Sequence, residues 1–173
     1  IMMVMPRLED IGFYTLSDAR AHSASASSPL ARCEILLTAR CNFRCAYCRR
    51  VGGDDADAAG VLDLIGRLGA ERLRAIRFSG GEPTLHAGLP RFVRASKGAG
   101  IGRVAVSTNG SAPWRKYEEL LRLGADDFSV SLDACCAGDG DARAGGVRGS
   151  WDRTVRTIRR LADRVRGAGD GDQ

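Results

Sequence analysis

Between Cys33 and Val165, short apolar runs alternate with segments whose apolar positions recur at helical spacing, the pattern of repeated strand and helix units. Cys33 to Thr38 reads as a first strand. Asp54 or Asp55 is placed to cap the helix that follows, whose apolar positions Val61, Leu64, Ile65 and Leu68 fall on one face. Leu73 to Phe78 reads as a second strand and Leu89 to Ser96 as a second helix, stopped by Gly98 and Gly100. Ile101 to Ser107 makes a third strand; Pro113 suits the first turn of a third helix, which Gly124 ends. Phe128 to Leu132 makes a fourth strand, and Ser150 caps a last helix with Val155, Ile158, Leu161 and Val165 along one side.

Consecutive β-α units of this kind predict an α/β fold with parallel strands, right-handed crossovers and helices on the outside. Such folds carry their sites on loops at the C-terminal ends of the strands, held by a rigid scaffold. Residues 1–31 read as an N-terminal extension or linker, since Ala21 to Pro29 is rich in Ser and Ala and has no apolar period. Residues 32–166 read as the core. Residues 167–173 are rich in Gly and Asp and read as a flexible tail.

Composition narrows the class. A chain of 173 residues, 44% of them hydrophobic, can bury the core of one domain. No stretch approaches a membrane span, and Ile1 to Met5 is followed at once by Pro6, Arg7, Glu9 and Asp10, unlike a secretory leader. Six cysteines without an export signal point to a reducing compartment, the cytoplasm by default. The net charge of +5 comes from arginines spread along the chain, with Arg49-Arg50 and Arg159-Arg160 the tightest pairs. Without a block of like charges this reads as solvated helix faces rather than a nucleic-acid surface.

The chemistry concentrates in two loops. Cys41, Cys45 and Cys48 stand at i, i+4 and i+7 directly after the first strand. Three thiolates there can grip three corners of an iron-sulfur cube and leave the fourth iron without a protein ligand. A closed zinc site wants four ligands; His22 or His86 could in principle complete a Cys3His set, but neither has the paired spacing of zinc modules. At the end of the second strand stands Ser79-Gly-Gly-Glu-Pro-Thr84. Gly80 and Gly81 permit close backbone approach to a ligand, and Glu82 supplies an anionic acceptor.

Together, in this order and separation, Cys41-x-x-x-Cys45-x-x-Cys48 with Tyr47 before the last cysteine, and Gly80-Gly81-Glu82-Pro83, resemble the radical S-adenosylmethionine (radical SAM) superfamily. The likeness extends through Ser107-Thr-Asn-Gly110 and Val130-Ser-Leu-Asp133 to Arg148-Gly-Ser-Trp-Asp-Arg153, closest in style to the molybdenum-cofactor cyclase and peptide-modifying branch. It implies a partial (β/α) barrel of about six units; only four can be counted here, so at roughly 30 residues per unit about 60 residues of such a core are expected to be missing. A shortened core would leave an open edge at strand four for a partner or further segment to cover.

The resemblance also implies a [4Fe-4S] cluster on Cys41, Cys45 and Cys48 and S-adenosylmethionine bound by Tyr47, Gly80, Gly81, Glu82, Ser107, Asn109, Ser131, Asp133 and Arg148, with Arg143 a competitor for the last role. Glu82 would meet the methionine ammonium, Tyr47 the adenine, and the arginine the carboxylate. The activity implied is reductive cleavage of S-adenosylmethionine to a 5'-deoxyadenosyl radical that abstracts hydrogen from a small-molecule or peptide substrate, as an oxidoreductase, lyase or isomerase. A flavodoxin- or ferredoxin-type protein would supply the electron. Two alternatives are a glycyl-radical-enzyme activase and a non-catalytic cluster-binding scaffold. Cys135 and Cys136 stand after the fourth strand as hydrogen-atom donors or as incidental thiols. Cys33 is expected in the core, and Trp114 and Trp151 in packing at helix starts.

Overall fold

The computed structural model describes residues 30–48 and 54–169, with side chains as far as Arg164. The Ala21–Pro29 segment, Arg49-Arg50, His22 and the last four residues lie outside the described residues. Strands β1 (Arg32–Thr38), β2 (Ala75–Gly80), β3 (Arg103–Thr108) and β4 (Asp127–Val130) form one parallel sheet in the order β1-β2-β3-β4. Helices α1 (Ala58–Ala70), α2 (Leu89–Gly98) and α3 (Trp114–Arg122) connect successive strands, and α4 (Ala137–Arg143) and α5 (Ser150–Gly169) follow β4.

The two sheet faces differ because side chains alternate along each strand. Ile35, Ile76, Phe78, Val104 and Val106 meet Val61, Ile65 and Leu68 of α1, Phe92 and Val93 of α2, and Leu120 of α3 in one buried core. Strand register sets Glu34, Arg77, Ala105 and Asp127 in one row, with Leu36 beside Ser79 and Ser107 beside Ser129 in the next. This second face is mostly polar. Cys33 is half-buried against the core, as expected.

Several boundaries moved for identifiable reasons. The cap of α1 is Asp57, whose carboxylate accepts the Gly60 N–H at 2.8 Å, rather than Asp54 or Asp55. Asp55 is engaged by Arg40 and Thr38 at the root of the cysteine loop, and these partners hold its carboxyl below the usual range. Strand β2 continues beyond Phe78 through Gly80, which pairs with Thr38 across a bulge in β1. Pro113 is the N-cap of α3 rather than a residue of its first turn, and Gly124, at φ 101°, ends that helix as anticipated.

Helix α4 has no counterpart in the sequence reading. Its seven residues, Ala-Gly-Asp-Gly-Asp-Ala-Arg, have no apolar stripe and none is buried. Asp141 within it anchors α5: its carboxylate accepts from the Gly149 N–H (2.6 Å), the Ser150 hydroxyl (2.9 Å) and the Trp151 N–H (3.1 Å). The side-chain cap of α5 is therefore Asp141, and Ser150 is the first helical residue. The inward face of α5 is also not the expected one. Thr154 and Thr157 are buried, whereas Val155, Ile158 and Leu161 are half-buried. The surface that α5 meets is a loop backbone, whose carbonyls need donors: Thr154 donates to Asn109 O and Thr157 to Gly110 O, both at 2.7 Å. The helix runs to Gly169, into the stretch read as tail.

Candidate functional site

Every strand ends at one pocket of about 250 Å³. The loop after β1 brings Cys41, Cys45, Tyr47 and Cys48 to it; Gly80 and Gly81 come from the end of β2, Ser107 and Asn109 from β3, Ser131 and Asp133 from the exit of β4. Ten of the residues singled out in the sequence thus line one pocket. The convergence follows from the parallel sheet, which delivers all its exits to the same edge.

The two motif loops are stitched together through their backbones. The Gly81 N–H donates to Thr38 O at 2.6 Å and the Glu82 N–H to Arg40 O at 2.8 Å. A β-carbon on Gly80, at φ 129°, would stand 2.5 Å from Thr38 O, and one on Gly81 would meet Arg40 O. The close approach that requires glycine is thus to the root of the cysteine loop, whereas the sequence reading assigned it to a ligand.

Glu82 departs further from its assigned role. It is fully buried and does not line the pocket. Its Oε1 accepts from the Thr84 N–H (3.1 Å) and the hydroxyls of Thr84 (2.6 Å) and Thr108 (2.9 Å), and Oε2 accepts from the Asn109 N–H at 2.7 Å. With four donors already in place it is a tie between β2 and β3, in place of the ammonium acceptor anticipated. Thr108 also contacts Tyr117, whose buried phenol is pushed up to about 12, chiefly by burial.

Across the pocket, the Tyr47 hydroxyl donates to Asp133 Oδ2 at 2.7 Å. That hydrogen bond, with some desolvation, raises the phenol above its ordinary value and keeps it protonated. Asn109 Nδ2 donates to Asn42 Oδ1 at 2.8 Å and approaches Cys41 Sγ at 3.8 Å; the Phe43 N–H lies 3.4 Å from the same sulfur. Burial pushes the Cys41 thiol up, while these donors favour its thiolate.

Arg148 is exposed and outside the pocket; Arg143 of α4 lines it instead, paired with Asp139 at 2.8 Å. Arg143 is the last residue of α4, the short helix that follows the exit of β4. Cys135 and Cys136 are both exposed and stand beyond the lining. Trp151 packs over Gly140 and donates to Ala134 O at 3.2 Å, and it also forms part of the wall, more than the packing role expected of it. Residues the sequence reading missed, Asn42, Thr154 and Asp141, act through backbone, amide or hydroxyl partners that no motif announces.

The donor set, three soft thiolates, suits an iron-sulfur cube. Cys41, Cys45 and Cys48 are free thiols that line the same pocket. Among the described residues no three His, Cys, Asp or Glu side chains are gathered tightly enough for one metal ion. A cube takes each thiolate at a separate corner, so its ligands need not meet at a point. His86 is buried, accepting from the Gly88 N–H through Nδ1 and donating from Nε2 to Ala56 O at 3.0 Å. It has no free nitrogen to close a zinc site.

A parallel α/β sheet with three thiols and a glycine turn at the strand exits defines a cofactor-binding domain. Residues 35–169 match the model of the radical SAM superfamily, and the chain belongs to that family. Members bind a [4Fe-4S] cluster and S-adenosylmethionine. The GTP 3',8-cyclase of Chlorobaculum tepidum is 38% identical over 104 residues, 57% of this chain and 32% of that protein. The crystal structure of BtrN in complex with AdoMet and 2-DOIA superposes with a TM-score of 0.55 at 25% identity, covering 62% of this chain and 47% of that one. Streptococcus suis SuiB, at 19% identity and a TM-score of 0.62 over 75% of this chain and 29% of its own, shares the fold. The chain spans about a third of the length of the curated relatives it matches. No described helix is long and apolar enough to cross a membrane.

Proposed function

We propose that Cys41, Cys45 and Cys48 hold a [4Fe-4S] cluster and that the pocket beside them binds S-adenosylmethionine for radical formation. The observation that carries this reading is the single pocket lined by the three thiols together with Gly80, Gly81, Ser107, Asn109, Ser131 and Asp133. When bound, the reduced cluster and S-adenosylmethionine supply a 5'-deoxyadenosyl radical that abstracts a substrate hydrogen. The chain's own residues bind and orient. Ser131 and Ser107 offer hydroxyls and Arg143 a guanidinium suited to a carboxylate. Tyr47 and Asp133, joined by their hydrogen bond, close one side, and Trp151 excludes water from another.

For the substrate we favour a small anionic molecule of the nucleotide class over a peptide. The support is the name of the cyclase relatives and the polar sheet face, where Arg77 reaches Ser107 at 3.4 Å beside the pocket. The activase alternative has no such support. Anaerobic reconstitution with iron, sulfide, dithionite and S-adenosylmethionine should yield 5'-deoxyadenosine. A protein that carries the full cluster and forms none is a scaffold, and the enzymatic reading is then wrong. Stimulation of cleavage by a peptide, with none by GTP, would reverse the choice of substrate class.

A further inference from the structure

Beside the cysteine loop, on the outer surface, a groove is lined by Trp114 at the start of α3 and by Arg153, Arg156 and Arg160 of α5. Spacings of three and four set the arginines on one helix face, about 10 Å from end to end. All three are exposed, and among the described residues none forms an ion pair with a carboxylate. No carboxylate lines the groove. Arg160 lies over the Trp114 ring, 5.6 Å from its centroid, which fixes one guanidinium in place. Like charges at this spacing repel within a helix. An arrangement that leaves them unpaired suits an anionic surface brought from outside.

The position of the groove suggests what that surface belongs to. Ser111 also lines the groove, and its hydroxyl accepts from Asn42 Nδ2 at 2.7 Å. Asn42 sits within the loop between Cys41 and Cys45, and Asn109 links it to the Cys41 sulfur. The groove is therefore separated from the first thiol by only two hydrogen-bonded side chains. It is too short to track a nucleic-acid backbone, and three converging guanidinium groups match a few carboxylates on a folded partner.

We propose that this groove docks an acidic one-electron carrier protein through Arg153, Arg156 and Arg160. The inference rests on the cluster reading above. On docking, the carrier is oxidised by one electron and the cluster held by the three cysteines is reduced by one; no bond or proton at the interface changes.

The test uses the anaerobically reconstituted protein with flavodoxin as the probe. Binding is titrated at low and high salt, and cluster reduction by photoreduced flavodoxin is followed by absorbance. The double reversal Arg153→Glu with Arg156→Glu is expected to weaken binding about ten-fold or more and to slow reduction in step. Arg153→Lys with Arg156→Lys should retain most of the affinity, which shows that charge rather than folding is read out. The control Arg91→Glu with Arg94→Glu, on exposed positions of α2, carries the same charge change elsewhere and should stay within about two-fold of the parent. Reduction by dithionite should be equal in all forms. Equal losses in the α2 control and the α5 variant, unaltered flavodoxin binding in the α5 variant, or displacement of bound flavodoxin by duplex DNA from the same arginines each overturn the proposal. Failure of dithionite to drive S-adenosylmethionine cleavage would instead count against the cluster chemistry, while the binding titration still decides the docking surface.

Discussion

Glu82 Oε2 accepts the main-chain N–H of Asn109 at 2.7 Å, joining two strand exits 27 positions apart. With Thr84 and Thr108 on its other oxygen, this buried carboxylate fixes the turn that touches the cysteine loop and the loop that touches Cys41. Glu82→Ala would strand four donors in a dry site. Its expected cost is roughly 2–4 kcal/mol of folding stability, since each buried unsatisfied group costs about 1–3 kcal/mol and relaxation recovers part. Denaturant unfolding of the apo protein measures this. A stable Glu82→Ala variant that had lost only S-adenosylmethionine affinity would restore Glu82 as a direct ligand.

Cys45→Ala removes one corner of the cluster site. Reconstituted protein should lose the broad iron-sulfur absorbance and all cleavage of S-adenosylmethionine. Iron and sulfide analysis checks the outcome, and a complete [4Fe-4S] cluster in this variant contradicts the ligand assignment.

The Tyr47–Asp133 hydrogen bond joins two residues that line the pocket. Tyr47→Phe and Asp133→Ala should each leave the cluster content unchanged and weaken S-adenosylmethionine binding by several-fold, the scale of one hydrogen bond of about 0.5–1.5 kcal/mol. The double variant should lose little more than either single one, because the two side chains act on each other. Additive losses in a titration would show that they act independently.

Asp141 gives stability a pH dependence. The N–H groups of Trp151 and Gly149, with Ser150, hold its carboxyl below the usual range. A depressed folded-state value means that its contribution is fully present above the unfolded carboxyl's pKa of about 3.9 and is lost as pH falls through the folded value. Asp141→Asn should lower the melting temperature at neutral pH and flatten its decline on acidification. An unchanged slope between neutral pH and the acid range in melts followed by circular dichroism would remove Asp141 as the anchor of α5.

The repeating alternation of apolar runs made the four strands, α1, α2, α3 and α5 legible, because burial against a sheet leaves a period in the sequence. Strand ends were less so. Gly80 joins β2 only because Thr38 shifts register across a bulge, a pairing set by a strand more than forty positions away. Helix α4 left no trace, since a helix that buries nothing has no stripe. At the site, the thiols and the glycine turn were visible as motifs, whereas the exchange of Arg148 for Arg143 depended on the turn of α4.

What the sequence determined by itself is the chemistry and the alternation: three soft ligands in one short loop, a glycine turn at the exit of the second strand, and strands with helices on the outside. Only the tertiary structure decided which polar groups line the pocket and which are consumed in holding the frame. Glu82, Thr154 and Asp141 all look available in one dimension. Each is spent on backbone groups from distant segments, because a buried N–H or carbonyl must find a partner and the chain's path determines which side chain is within reach.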